Sequence, residues 1–196
     1  MWLPAVALTW FSALWAGLSP LPPAQAARVG LTGTAIVDAK PAPGVVVWLE
    51  GNGVSAAPAE TPVLDQRNLT FSPRVLAVEM GTTVEFPNND RVFHNVFSFR
   101  DGRRFDLGLY PVGAVKRVTF DRPGVSRIFC NIHPQMAAYV VVVSSPIHGV
   151  SNDDGSFALP EVPVGTYTYR AWRAGGTELE GTIRVQPGAT LEIQWP

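Results

Sequence analysis

Four side chains of metal-binding type stand out by kind and spacing. Cys130, His133 and Met136 fall within "FCNIHPQM" (residues 129–136), and His94 lies upstream in "RVFHNVFSF". A thiolate, two imidazoles and a thioether are the donor set of a type 1 copper site, with three strong ligands in a trigonal array and sulfur as a weak axial partner. Thiolate and thioether are soft, imidazole accepts either oxidation state of copper, and fixed loops keep the geometry nearly constant when an electron arrives.

Taken singly, each residue has a plainer reading. A lone cysteine at a strand end is usually a small buried hydrophobe, and a lone histidine on an alternating strand is usually a hydrogen-bonded core or surface residue. The conjunction favours metal, because the chain has one cysteine, three histidines and three methionines. Met1 opens an apolar leader and Met80 sits in an apparent turn, which leaves Met136. One cysteine cannot form an internal disulfide, a multi-cysteine zinc site or a copper pair bridged by two thiolates. Three histidines are too few for the second copper type of a multicopper oxidase or copper nitrite reductase. A copper with four protein donors has no open position for substrate, so the expected task is outer-sphere transfer of single electrons and not catalysis. The alternative is storage or delivery of Cu(I), an ion that the same donors suit.

The elements that must position these donors are strands. Of 196 residues, 46% are hydrophobic and 16% charged, enough for one large domain or two small ones with their own cores. Apolar residues alternate or come in short runs, and the 18 glycines and 18 prolines punctuate them, the pattern of an all-β sandwich. Strands are expected at 29–37, 44–50, 74–79, 82–86, 93–99, 115–120, 125–130 and 137–143, the first two as a hairpin across "DAKPAPG". Phe93, Phe97, Phe99 and Phe129 flank the donors at alternating positions and read as core packing. After "SSP" (144–146) the composition shifts, with further strands around Phe157, over Tyr167 to Trp172, and at 180–185 and 190–194. That is too few for a sandwich of its own. The expected organisation is therefore a 28–51 hairpin joined to 146–196 in one small sandwich, with a second domain, 61–145, inserted between them. His148, without a metal-type neighbour in sequence, reads as a solvated or capping residue.

Residues 1–26 carry no charged side chain, are apolar to Leu18, and end in Ala24-Gln25-Ala26, which reads as a cleaved secretory signal peptide; the alternative is a membrane anchor that stays attached, which Pro20, Pro22 and Pro23 disfavour by breaking the run. A periplasmic or secreted protein follows, with no membrane segment left after cleavage. The net charge of −1 hides an asymmetry. Arg91, Arg100, Arg103, Arg104, Lys116, Arg117, Arg122 and Arg127 stand against Asp101, Asp106 and Asp121. A basic face could steer an acidic redox partner, such as an exported cytochrome or dehydrogenase. The same residues could equally be the solvent-facing positions of strands. Nothing points to nucleic acid.

"FPNNDRVFHNVFSF" followed by "GVSRIFCNIHPQM" resembles the two copper-binding segments of cupredoxins such as plastocyanin, and Cys-x2-His-x2-Met is the spacing of amicyanin. The resemblance covers about 61–145. It implies a Greek-key β-sandwich and one type 1 copper on His94, Cys130, His133 and Met136, with Asn95 bracing the ligand loop. The tail "VSNDDGSFALPEVPVGTYTYRAW" is similar to carboxypeptidase regulatory-like sandwich domains. The whole arrangement resembles cupredoxin-like proteins often labelled methylamine utilization proteins, a label that says little about substrate.

Overall fold

Alternation of small and β-branched side chains sets which face of each strand is dry, and the strands stack accordingly. A computed structural model describes residues 27–51, 61–99 and 102–196. The expected leader, 1–26, lies outside the described residues, as do Arg100 and Asp101. Among the described residues every regular element is a strand.

The strands that carry the donors form a five-stranded sheet in the order β6 (Val75–Glu79), β12 (Ala137–Val143), β11 (Gly124–Phe129), β8 (His94–Ser98), β9 (Phe105–Tyr110). It faces a two-stranded sheet of β7 (Thr82–Pro87) and β10 (Val115–Phe120). Val84, Phe86, Val118 and Phe120 from the small sheet meet Val96, Ile128 and Val140 from the large one in a core that also holds Cys130 and Met136. The short hairpin of β4 (Asp65–Arg67) and β5 (Thr70–Ser72) adds Phe71 to this core. Its turn is tight because Asn68 (φ 50°) and Leu69 (φ 57°) both take the left-handed conformation of a two-residue type I′ loop.

A second pair of sheets is built from both ends of the described chain. β1 (Arg28–Val37) lies between β14 (Ser156–Pro163) and β17 (Thr190–Trp195), with β2 (Lys40–Pro41) folded back on its end. The facing sheet runs β13 (His148–Val150), β3 (Val46–Glu50), β15 (Gly165–Trp172), β16 (Leu179–Val185). Leu31, Phe157 and Ile193 of the first sheet pack on Val47, Leu49 and Ala171 of the second.

Two expectations are corrected here. The strands at 29–37 and 44–50 are not a hairpin. β1 and β3 belong to opposite sheets, and the hairpin partner of β1 across the turn is the two-residue β2, through Val37 and Lys40. The reason is that β3 is buried on both faces: Val47 and Leu49 face the β1 core, while Val46 and Trp48 face the other way, toward the donor-bearing sheet. Phe93 and Phe99 are about half exposed, not core. Val96 and Ile128 take the inward positions on β8 and β11, so Phe97, Phe99 and Phe129 stack on one another on the outer face.

β12 shows the same two-sidedness as β3. Ala138, Val140 and Val142 enter the donor-bearing core, and Tyr139, Val141 and Val143 pack with Val46 and Trp48 of β3 in a third apolar cluster. That cluster joins the two pairs of sheets.

Candidate metal centre

β8 and β11 are antiparallel neighbours through Phe97 and Phe129, which puts the first residue of β8, His94, beside the end of β11, where Cys130 follows. The chain then turns back into β12, where Ala137 pairs with Phe129. Within the loop, the Met136 amide donates to the His133 carbonyl at 2.9 Å, closing a turn that folds His133 toward Cys130. Loop and strand ends thus meet at one pole of the sandwich.

Three donor atoms converge there. His94 Nδ1 and His133 Nδ1 are 3.1 Å apart, and Cys130 Sγ lies 3.9 Å from the first and 3.8 Å from the second. A circle through the corners of that triangle has a radius of about 2.1 Å, close to the ~2.0–2.3 Å at which first-row metals bind imidazole and thiolate. The spacing therefore fits one ion held by three donors. The imidazole rings meet edge to face at 69°. His94, Cys130 and Met136 are buried, while His133 is only half-buried and is the member of the triangle that solvent can reach. Met136 lies in the same core as Cys130. Cys130 is a free thiol.

Asp90 fixes the orientation of His94. Its Oδ2 lies 2.9 Å from His94 Nε2, which places the ring proton on that nitrogen and leaves the Nδ1 lone pair aimed at Cys130 and His133. The same oxygen accepts the Leu69 amide from the β4–β5 turn at 2.7 Å, and Oδ1 accepts the Arg91 amide at 2.8 Å. Burial pushes the Asp90 carboxyl up, but the hydrogen bonds from Leu69, His94 and Arg91 outweigh it and hold the group down at about 2. Buried Asn88 shapes the loop around Asp90: its side-chain oxygen accepts the Asp90 amide and its nitrogen donates to the Val92 carbonyl. Neither Asp90 nor Asn88 was singled out by the sequence. The signal was the placement of a carboxylate one helical turn's worth of residues before His94 in "NNDRVFH", which looks like an ordinary solvated loop.

Asn95, which the resemblance makes a brace of the ligand loop, is buried on β8 beside His94. Its amide nitrogen donates to Asp106 Oδ1 on β9 at 2.7 Å, while its Oδ1 is buried without a partner among the described residues. Asn95 thus ties β8 to β9. Of the basic residues between Arg91 and Arg127, Arg103 and Arg122 share Asp121, and Arg117 pairs with Glu85. His148 Nδ1 donates to the Ser145 carbonyl of its own chain at 3.0 Å.

Residues 59–143 match the family of copper binding proteins described as plastocyanin/azurin. This segment is a cupredoxin domain. Its cofactor is copper, and the His-Cys-His triangle suits one ion of type 1. Among solved structures, a purple cupredoxin from Nitrosopumilus maritimus is 27% identical over 41% of this chain and 96% of its own, with a TM-score of 0.37. A copper-containing nitrite reductase from Thermus scotoductus is 26% identical over 48% of this chain and 25% of its own, with a TM-score of 0.41. A proline-to-glycine mutant of amicyanin, in its reduced Cu(I) form, is 22% identical over 50% of this chain and 98% of its own, with a TM-score of 0.40. No curated protein matches the chain.

Proposed function

We propose that the chain is an exported blue copper protein that carries single electrons by outer-sphere transfer, with His94, Cys130, His133 and Met136 holding the ion. The observation that carries this reading is the triangle of His94 Nδ1, His133 Nδ1 and Cys130 Sγ, sized for one metal and buried on the His94 and Cys130 sides. Copper bound there supplies a one-electron couple between Cu(II) and Cu(I). With four protein donors no position is left for a substrate, which supports electron carriage over catalysis. The apolar leader at 1–26 supports export to the periplasm or beyond. Among the described residues no helix is long and apolar enough to cross a membrane. The separate cores support a cupredoxin domain at 61–145 and a carboxypeptidase regulatory-like sandwich built from 28–51 and 146–196.

The chain's own residues arrange the transfer. Asp90 locks the His94 ring so that it need not turn when the charge at the centre changes. The packed core behind Cys130 and Met136 excludes water and limits movement of the donors. His133 is the port, because it alone of the triangle reaches the surface. Exposed apolar side chains occur on its loop and just before His94, among polar Asn131 and Gln135: Phe93 is 52% exposed, Ile132 48% and Val92 40%. Such a patch gives a redox partner, an exported cytochrome or dehydrogenase, a dry contact beside the port.

Mixing the Cu(II) protein with a reduced exported cytochrome tests this. The expected result is reversible uptake of one electron, slowed in Ile132→Glu while the visible spectrum stays the same. Loss of the ion on reduction, with copper passed on to an apo acceptor, would support storage or delivery instead.

A further inference from the structure

The cluster that joins the two pairs of sheets opens at one side into two recesses that share Arg173. The larger, about 610 Å³, is bounded by Arg74 and Arg173 with Val37, Val75 and Val150. The smaller, about 340 Å³, is bounded by Arg127 and Arg173 with Tyr139 and Trp172, whose rings meet edge to face at 5.3 Å. Arg74 and Arg127 are exposed and flank Tyr139 on either side. The Tyr139 amide donates to the Arg74 carbonyl, and Arg127 is the register partner of Tyr139 on β11. Arg173 is held in place by Trp195, with its guanidinium carbon 5.7 Å from the ring centroid, and its Nε is buried with no partner among the described residues.

These three arginines differ from five others in the chain. Arg67, Arg103, Arg117, Arg122 and Arg170 each have a carboxylate within ion-pair distance. Arg74, Arg127 and Arg173 have none among the described residues, although they line two adjoining recesses, taken together as one groove. Three like charges across two adjoining recesses with apolar walls concentrate a positive field, and an anionic partner removes the repulsion between them.

We propose that this groove binds an extended acidic segment of a partner protein. Its length favours a peptide over a single small anion. β6 and β11 stand on either side of β12, so the Arg74 and Arg127 backbones are about 10 Å apart at the ordinary strand spacing. Arg74 bounds the larger recess and Arg127 the smaller, so an extended chain with carboxylates two or three residues apart, at ~3.3 Å per residue, can occupy both recesses at once. Planar guanidinium groups also suit paired hydrogen bonds to carboxylates. Asp153 lines the larger recess as well. It disfavours a uniformly anionic surface such as a bilayer, but a peptide can present a neutral or basic residue at that point. The inference rests on charge and shape and is independent of the copper.

The test is binding of a fluorescein-labelled hexaglutamate peptide to the full chain, followed by anisotropy, with hexaglutamine as control. The expected result is salt-sensitive binding of hexaglutamate alone, equal with and without copper, and weakened about tenfold or more in the Arg74→Gln/Arg127→Gln double variant. Both positions are exposed, and an unchanged circular dichroism spectrum of the variant verifies its fold. Lys116→Gln, on β10, should bind as the wild type does. Absence of hexaglutamate binding overturns the proposal, as does equal binding by wild type and double variant. Displacement of the peptide by inorganic phosphate at comparable concentration would make the groove a small-anion site and overturn it too. So would arginine-dependent binding to phosphatidylglycerol vesicles in preference to the peptide.

Discussion

His94 is held at both ring nitrogens, by Asp90 on one side and by the His133–Cys130 corner on the other. The carboxylate makes the imidazole a stronger donor and adds negative charge beside the site, and both effects favour Cu(II) over Cu(I). Asp90→Asn is therefore expected to raise the reduction potential by tens of millivolts, on the scale of ~59 mV per tenfold change for one electron. Voltammetry of the two proteins measures it. Asp90 also contributes to acid stability. Its folded value of about 2 lies below the ordinary 3.8, so its contribution is complete above pH 4 and disappears as the pH falls toward 2. The amount is on the order of 2 kcal/mol. Denaturant unfolding of the copper-free protein across that window should show the fall in the wild type and not in Asp90→Asn. Cys130, His133 and Met136 could be read from spacing, and His94 from its type, because sulfur and imidazole are scarce in this chain. Asp90 could not be read so easily, because carboxylates are common in loops and its partner is the turn of a hairpin, Leu69, that sequence reasoning did not find.

At the scale of elements, the alternating strands were readable because one face of each is dry. β10, β12 and β15 to β17 fall where the pattern places them. β9, "FDLGLY", was missed because its burial does not alternate cleanly: Leu109 is 62% exposed and Gly108 turns with φ 65°. The expected hairpin of 29–37 with 44–50 failed for a different reason. A turn-like linker shows that the chain reverses, but whether the two strands pair or face each other across a core depends on what covers the second side of β3. The register of β1 supplies a test at this scale. Gly33 pairs with Phe157, and a Cβ there would lie 2.2 Å from the Leu191 carbonyl oxygen and 2.3 Å from the Phe157 ring. The backbone of β17 cannot yield cheaply, so Gly33→Ala should lower stability by roughly 1–3 kcal/mol, or more if the strands separate. The copper spectrum should be unaffected, because the lesion lies in the other core.

The described residues form two sandwiches stacked through a shared face. Val46, Trp48, Val75, Val141 and Val143 form the buried part of that face, with Tyr139 and Trp172 at its edge. The sequence places a strand at 137–143 but does not show that both its faces are covered; the second cover comes from β3, almost a hundred residues earlier in the chain. The junction should make the two units unfold together. Trp48→Ala removes the largest side chain of the buried contact, at a cost of about 3–5 kcal/mol. Calorimetry should then resolve two transitions where the wild type shows one, with loss of copper colour following only one of them. The Arg74, Arg127 and Arg173 groove exists only because this junction sets the two units side by side.

The central claim is that His94, Cys130, His133 and Met136 make one type 1 copper site. The most direct measurement is the visible absorption spectrum of the protein loaded with one equivalent of Cu(II), beside that of Cys130→Ser. A thiolate bound to Cu(II) in this site predicts strong absorption toward the red end of the visible spectrum in the wild type, absent from the variant. A Cu(II) complex that is pale in both, or equally coloured in both, would contradict the account.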